Sequence, residues 1–397
     1  MGAEGGLAAR APIDYLARVE ALAPQIAAAA DAIEAGRRLP PALLAALIEA
    51  GLFRLLLPAP LGGGEVEPAL FVEVLEGVAR RDASTAWCLG QNAVCAMVAA
   101  FLPREAATAI FARDPASILA WGAGPNGTAT AAEGGYRVTG SWSFASGGRH
   151  ARWLGGHCLV HETDGAPRRA ADGTPAQRTV IFPADRAVWS DIWTVIGLRG
   201  TGSDAYAVTD LFVPAAYTLA RDDQSERRYD GPLYAIGTNS MYAAGFAGVA
   251  LGIARGMLDA FVALARDKTP RGYKNALRDS AVTQSDLAQV EARLRAARFY
   301  LLGTVCEIWR EVQQSRVMTV AQRVAIRLAA THAIQEAHDV ADLAYHAAGA
   351  SAIFAGNPFE RRLRDMHAVA QQIQGRRSHF ETVGRFLLGL DADLSFL

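Results

Sequence analysis

Ile118-Leu-Ala-Trp-Gly-Ala-Gly-Pro-Asn-Gly-Thr-Ala-Thr130, followed by Tyr136-Arg-Val-Thr-Gly-Ser-Trp-Ser-Phe-Ala-Ser-Gly147, is the stretch on which the fold turns. Its apolar runs are short and bounded by Gly, Pro and Asn, which is strand-and-turn text. The alternation from Tyr136 to Phe144 suits a sheet with one buried face. Similar runs (RWLGGHCLV, RTVIFP, AYAVTDLFV) continue to about Val213, and residues 164 to 177 read as an exposed loop between them.

Outward from this block the text changes to helix on both sides. Towards the N-terminus, residues 12 to 36 carry Leu16, Val19, Leu22, Ile26 and Ile33 at helical spacing. Pro40 and Pro41 open a second helix through Leu43, Leu44 and Leu47, closed by Gly51. Two more helices are expected at about 67–81 and 84–101, the latter capped near Asp82 or Ser84. Towards the C-terminus, long apolar-periodic spans at 238–268, 282–315, 319–349 and 376–389 are separated by DKTPRGYKNALRDS and FAGNPFERRLRD. Short loops between long helices favour an antiparallel bundle. The expected organisation is helical over 1–117, β over 118–234 and helical over 235–397, a mainly α chain with a central β domain. A doubly wound fold would instead alternate strands and helices throughout.

A chain of 397 residues is longer than one core usually holds, so two or three packed domains are expected. Its 51% hydrophobic and 20% charged residues are a globular composition. A net charge of −1 gives no electrostatic reason to expect nucleic acid or an anionic membrane as partner. Cys88, Cys95, Cys158 and Cys306 are scattered in apolar surroundings and read as buried free thiols. The first residues have no basic region before an apolar core, and runs such as Val94 to Leu102 are too short to span a bilayer. The expectation is a reducing cytoplasm. No GxGxxG follows a first strand of the kind a Rossmann site needs, the P-loop GxxxxGK[ST], the hydrolase GxSxG and the metal-binding HExxH do not occur, and no clustered ligand set suggests a metal.

Four segments in order resemble the acyl-CoA dehydrogenase superfamily. They are the two already quoted with His150-Ala-Arg-Trp153; Gly197-Leu-Arg-Gly-Thr-Gly-Ser203 leading to Asp210-Leu-Phe-Val-Pro214; Arg271-Gly-Tyr273; and Gly349-Ala-Ser-Ala-Ile-Phe354 running into Pro358-Phe-Glu-Arg-Arg-Leu-Arg-Asp365. The resemblance implies an N-terminal helical domain, a middle β-barrel or sandwich and a C-terminal four-helix bundle, with a flavin between the last two. It implies that Phe144, Ala145, Ser146 and Gly147 border the flavin, with Ser146 at its N5/O4 edge and Phe144 beside the ring. Trp121, Gly122 and Asn126 would lie over its other side. Arg271 would reach the FAD pyrophosphate of a neighbouring subunit in a homotetramer, a task suited to a planar guanidinium. Plain core packing is the other reading of the aromatics, a turn that of the glycines, and a solvated loop that of Arg271.

One departure separates two branches of the superfamily. Dehydrogenases commonly place a glutamate beyond the Arg-Asp pair as the base that removes a substrate proton. Here the text is Asp365-Met-His-Ala-Val-Ala-Gln-Gln-Ile-Gln-Gly375, and glutamine cannot act as a base. With Asp82-Ala-Ser-Thr-Ala-Trp87, this pattern resembles the two-component flavin monooxygenases. That branch takes reduced FMN or FAD from a separate reductase, forms a C4a-hydroperoxide with O2 and hydroxylates a small aromatic or hydrophobic substrate. By that resemblance Ser146, Gln372, His150 and His367 are the catalytic candidates, and Trp87 and Asn92 would meet substrate. His367 as a satisfied helix histidine, His150 as a strand end and Trp87 as core are the bland readings. An acyl-CoA dehydrogenase acting on a thioester is the alternative function, supported by Arg271. A DNA-binding flavoprotein is a third, which the absence of a basic face disfavours.

Overall fold

The computed structural model describes residues 13–170 and 172–394. Helices α1 (Tyr15–Gly36), α2 (Pro41–Glu49), α3 (Pro68–Ala79), α4 (Ala83–Ala96) and the single-turn α5 (Arg104–Ala107) come first. Local chemistry sets their ends. Asp82 accepts a hydrogen bond from Thr85 N at 2.6 Å and caps α4. Gly51 follows α2 with φ 75°, a conformation that suits glycine. The expected helix to residue 101 stops at Ala96 and continues as a 3₁₀ turn over Met97–Ala100.

Eight strands follow: β1 (Leu119–Trp121), β2 (Gly127–Ala132), β3 (Gly135–Trp142), β4 (Trp153–His161), β5 (Gln177–Pro183), β6 (Val188–Ser190), β7 (Ala205–Pro214) and β8 (Thr218–Leu219). The sheet order is β6-β7-β3-β2-β4-β5-β8, with β1 paired parallel to β4. Trp142 is the centre of this layer. It is fully buried, and its indole N–H donates to His157 O at 2.9 Å. Three strands carry glycine where its ring lies: a Cβ on Gly127, Gly140 or Gly156 would come within 2.4, 2.7 or 2.5 Å of it. Trp142 is therefore sheet core.

The C-terminal part contains α6 (Thr238–Asp267), α7 (Ala281–Ser315), α8 (Val320–Ala348), α9 (Glu360–Gln371) and α10 (Ser378–Leu387). Helix α6 packs against α3, α4 and α8, so the N- and C-terminal helices share one core cluster while the sheet has its own. By length and composition α6 could cross a membrane, but 67% of its most apolar window is buried inside the protein. Helix α9 was not among the four spans expected from periodicity. Its inward face is small (Leu363, Met366, Val369) and four charges, Glu360, Arg361, Arg362 and Arg364, crowd its first turns. The thiols need one correction: Cys88, Cys95 and Cys158 are buried, whereas Cys306 is exposed on α7, whose turns alternate between core and surface.

Candidate active site

The segment after β3 leaves the sheet and is held by the segment before β7. Ala145 N donates to Asp204 O at 3.2 Å and Gly147 N to Thr201 O at 3.0 Å. Between them Ser146 is buried, and its Oγ accepts from the indole Nε1 of Trp87 on α4 at 3.0 Å. On its other side Ser146 Oγ lies 2.7 Å from Ser203 Oγ, which lies 2.7 Å from Thr201 Oγ1. Thr201 Oγ1 is 2.8 Å from Leu198 O.

Counting donors fixes the direction of this chain. A carbonyl cannot donate, so Thr201 gives its single proton to Leu198 O. Ser203 must then donate to Thr201, and Ser146 to Ser203. Ser146 is left with one free lone pair and no free proton. It faces any ligand as an acceptor.

The chain is tied to the C-terminal bundle at its far end. Leu198 N donates to Asp365 Oδ1 on α9 at 2.6 Å. Burial pushes the Asp365 carboxyl up to about 7, against the lowering effect of the Leu198 N–H. Trp87 from α4, Ser146 after β3, Ser203 before β7 and Asp365 on α9 thus belong to one buried network. Ser203, Thr201 and Asp365 were not among the candidates read from sequence. The hydroxyl-bearing Gly-Thr-Gly-Ser motif was the available signal.

Neighbouring candidates fall into distinct places. Phe144 has φ 64° and is 60% exposed, edge-on to Trp193 with centroids 5.9 Å apart. A bulky residue held left-handed is strained, and such strain gathers at binding sites. Asn92 Nδ2 reaches Leu119 O at 3.2 Å and Ser146 O at 3.4 Å, so it anchors the Ser146 backbone. Its Oδ1 is buried without a partner. Trp121 and Gly122 are turned into the β layer. Gly122 N donates to Tyr206 OH at 3.0 Å, and Trp121 packs edge-on against His157. Asn126 closes its own exposed turn, its Nδ2 donating to Ala123 O at 2.9 Å. Only residues 123–126 of that loop are exposed.

Trp87 also stacks flat on Phe246 of α6, with centroids 3.7 Å apart, and Phe246 stacks on Tyr242 at 5.6 Å. Gln91 Nε2 donates to the Tyr242 hydroxyl at 3.1 Å. An aromatic wall with a polar edge therefore stands beside Ser146.

The remaining candidates do not join this network. His150 Nε2 accepts from Leu39 N at 3.1 Å, and burial, with Arg38 and Arg149 nearby, pushes the imidazole down to about 4. It is a neutral acceptor joining the β layer to the N-terminal helices. His367 faces α8 and lies 3.1 Å from His338. Gln372 lies just past α9. Its Oε1 accepts from Gln374 N at 2.7 Å while its Nε2 is buried without a partner. Arg271 is exposed, with no hydrogen bond or ion pair within the chain among the described residues.

These features fit a flavin: an exposed aromatic beside a buried hydroxyl acceptor, with the orphaned Asn92 Oδ1 next to them. The fold and this cradle define a flavoprotein of the acyl-CoA dehydrogenase type. Residues 17–107 match the acyl-CoA dehydrogenase N-terminal domain and residues 244–376 its C-terminal domain. A pigment production hydroxylase of Rhodococcus erythropolis is 30% identical over 355 residues, 86% of this chain and 88% of that protein. An indole-3-acetate monooxygenase of Pseudomonas putida is 28% identical over 339 residues, covering 85% and 84%. The HsaA monooxygenase structure from M. tuberculosis superposes with a TM-score of 0.88 at 26% identity, covering 98% of this chain and all of that one. The chain belongs to the flavin-dependent monooxygenases of the acyl-CoA dehydrogenase superfamily.

Proposed function

We propose that this chain is the oxygenase half of a two-component pair and hydroxylates a planar aromatic substrate beside Trp87, Phe246 and Tyr242. Two of the relatives named above carry an aromatic substrate or pigment chemistry in their names, and the stacked wall supports an aromatic substrate here. A separate reductase would supply the flavin in reduced form. The bound flavin supplies the electrons that activate O2. The protein's own contribution is to select and orient that state.

The observation that carries this reading is the direction of the hydroxyl chain. Reduced flavin has an N–H at N5, whereas oxidised flavin has a bare nitrogen acceptor there. Ser146, with a lone pair and no free proton, complements the former and repels the latter. Gln372 Nε2, the orphan donor, would hydrogen-bond an oxygen near the ring without taking a proton. Phe144 would border the ring and Asn92 would hold the Ser146 backbone. A thioester dehydrogenase needs a base, and Gln372 offers none.

Arg271 would contact the flavin phosphates of a second copy, in keeping with its exposure. Phe299 and Tyr300 on α7, exposed by 71% and 40%, support assembly into a homotetramer. Three buried free thiols are in keeping with a reducing cytoplasm.

The test is the affinity of the protein for reduced and oxidised FMN and FAD, measured anaerobically by fluorescence. The reduced form should bind about tenfold tighter, the worth of one hydrogen bond gained rather than lost. Equal or tighter binding of the oxidised form would refute the assigned direction.

A further inference from the structure

Away from the hydroxyl chain, the opposite face of α9 meets α8. There His338 and Asp342 stand one helical turn apart on α8 and His367 projects from α9. His338 Nε2 lies 3.1 Å from His367 Nδ1 and 3.9 Å from Asp342 Oδ2, and His367 Nε2 lies 3.6 Å from Asp342 Oδ1. One ligand atom from each of the three falls within 4.8 Å of the others. We propose that His338, Asp342 and His367 bind a divalent transition-metal ion of the zinc class, which clamps α9 to α8.

The separation of the two imidazoles is the one such an ion requires. Metal–nitrogen bonds of about 2.0–2.1 Å put two nitrogens on one ion roughly 3 Å apart. The two imidazoles already stand at that separation, sharing one proton that an ion would replace. Two imidazoles and one carboxylate suit zinc, nickel, cobalt or copper better than calcium or magnesium, which prefer oxygen ligands.

The outer arrangement points the same way. The other nitrogen of His338, Nδ1, lies 3.6 Å from Asp339 Oδ1. Asp339 is held in turn by Arg293 of α7, whose guanidinium reaches Asp339 at 2.9 Å and Glu336 at 2.8 Å. A carboxylate behind a ligating imidazole fixes its tautomer and raises its basicity. The three ligand side chains are 22%, 35% and 40% exposed, so water can complete the coordination and an ion can enter.

The clamp has a structural consequence independent of the flavin assignment. Helix α9 carries Asp365, which holds Leu198 N, and its C-terminal end leads to Gln372. Fixing α9 on α8 fixes both. Sequence spacing did not signal this site because His367 is far along the chain from the other two ligands.

The experiment is titration of the chelator-stripped full-length protein with zinc chloride by calorimetry, alongside thermal melts with and without zinc. One ion per chain should bind. His338→Gln and His367→Gln should weaken binding more than tenfold, and Asp339→Asn by about tenfold. His346→Gln, on an exposed histidine further along α8, should leave it unchanged. Zinc should raise the melting temperature of the wild type and not that of His367→Gln, whose metal-free melt shows whether it folds. Absence of saturable binding would overturn the proposal. So would equal affinity in the wild type and the two histidine variants.

Discussion

Ser146 and His150 stand four residues apart in one turn, and the structure puts them to opposite uses. Ser146 carries no titratable group, yet its hydroxyl connects α4, the loop before β7 and, through Leu198, helix α9. His150 is the residue type expected of acid–base chemistry, yet its ring is a neutral acceptor for Leu39 N. Connectivity, rather than residue type, separates a site from a packing contact here. A side chain that can change protonation is useful only where it reaches the reacting atoms.

The harshest way to disturb this contrast is at Gly147, between the two. Its φ of 70° and a Cβ position 2.4 Å from Asn92 Oδ1 leave no room for a side chain. Gly147→Ala should cost about 3 kcal/mol of stability, from overpacking and the left-handed backbone together. Flavin-dependent turnover should fall with it. Denaturant unfolding and a coupled reductase assay measure the two effects.

The His150 end can be isolated by pH. In the unfolded chain this imidazole titrates near 6.5, and in the folded protein it is pushed down to about 4. Below pH 6.5 the unfolded chain takes up a proton that the folded state refuses. The contribution is therefore fully present above about pH 6.5 and is lost as pH falls towards 4. By pH 5 about 2 kcal/mol of it has been lost. His150→Gln should flatten that part of the pH–stability curve without changing the preference for reduced flavin. A change in that preference would put His150 back at the site.

Ser203→Ala sharpens the other end. Without Ser203 to receive it, the Ser146 proton is free to point outward, so Ser146 can donate as well as accept. The roughly tenfold preference for reduced flavin should shrink towards parity, a change of about 1 kcal/mol. The smallest effect on the fold is expected at Arg271, which is exposed. Arg271→Ala should move stability by less than about 0.5 kcal/mol. It should weaken FAD more than FMN, as only FAD carries the pyrophosphate.

Much of the fold was legible because its signals are local. The Pro-opened α2, the Asp82 cap and the turn-bounded strands announce themselves in short windows. Helix α9 escaped because its arginines pair with Asp31 and Glu34 of α1, more than 300 residues away, contacts that periodicity does not encode. At the candidate site, the motif pointed to Ser146 and Phe144, a buried hydroxyl and an exposed aromatic with left-handed backbone in the structure. The inward turn of Trp121 and Gly122 was not, because it depends on Tyr206, some 80 residues on, whose hydroxyl takes the Gly122 N–H. The hydroxyl chain likewise needed the spatial meeting of two segments more than 50 residues apart.

The central claim is that this protein turns reduced flavin and O2 to hydroxylation. It is tested most directly by loading the protein anaerobically with chemically reduced FMN or FAD and mixing it rapidly with oxygenated buffer. The account predicts an absorbing species, distinct from both reduced and oxidised flavin, that persists until substrate consumes it. Immediate return to oxidised flavin, together with bleaching of the oxidised protein by acyl-CoA thioesters, would contradict it.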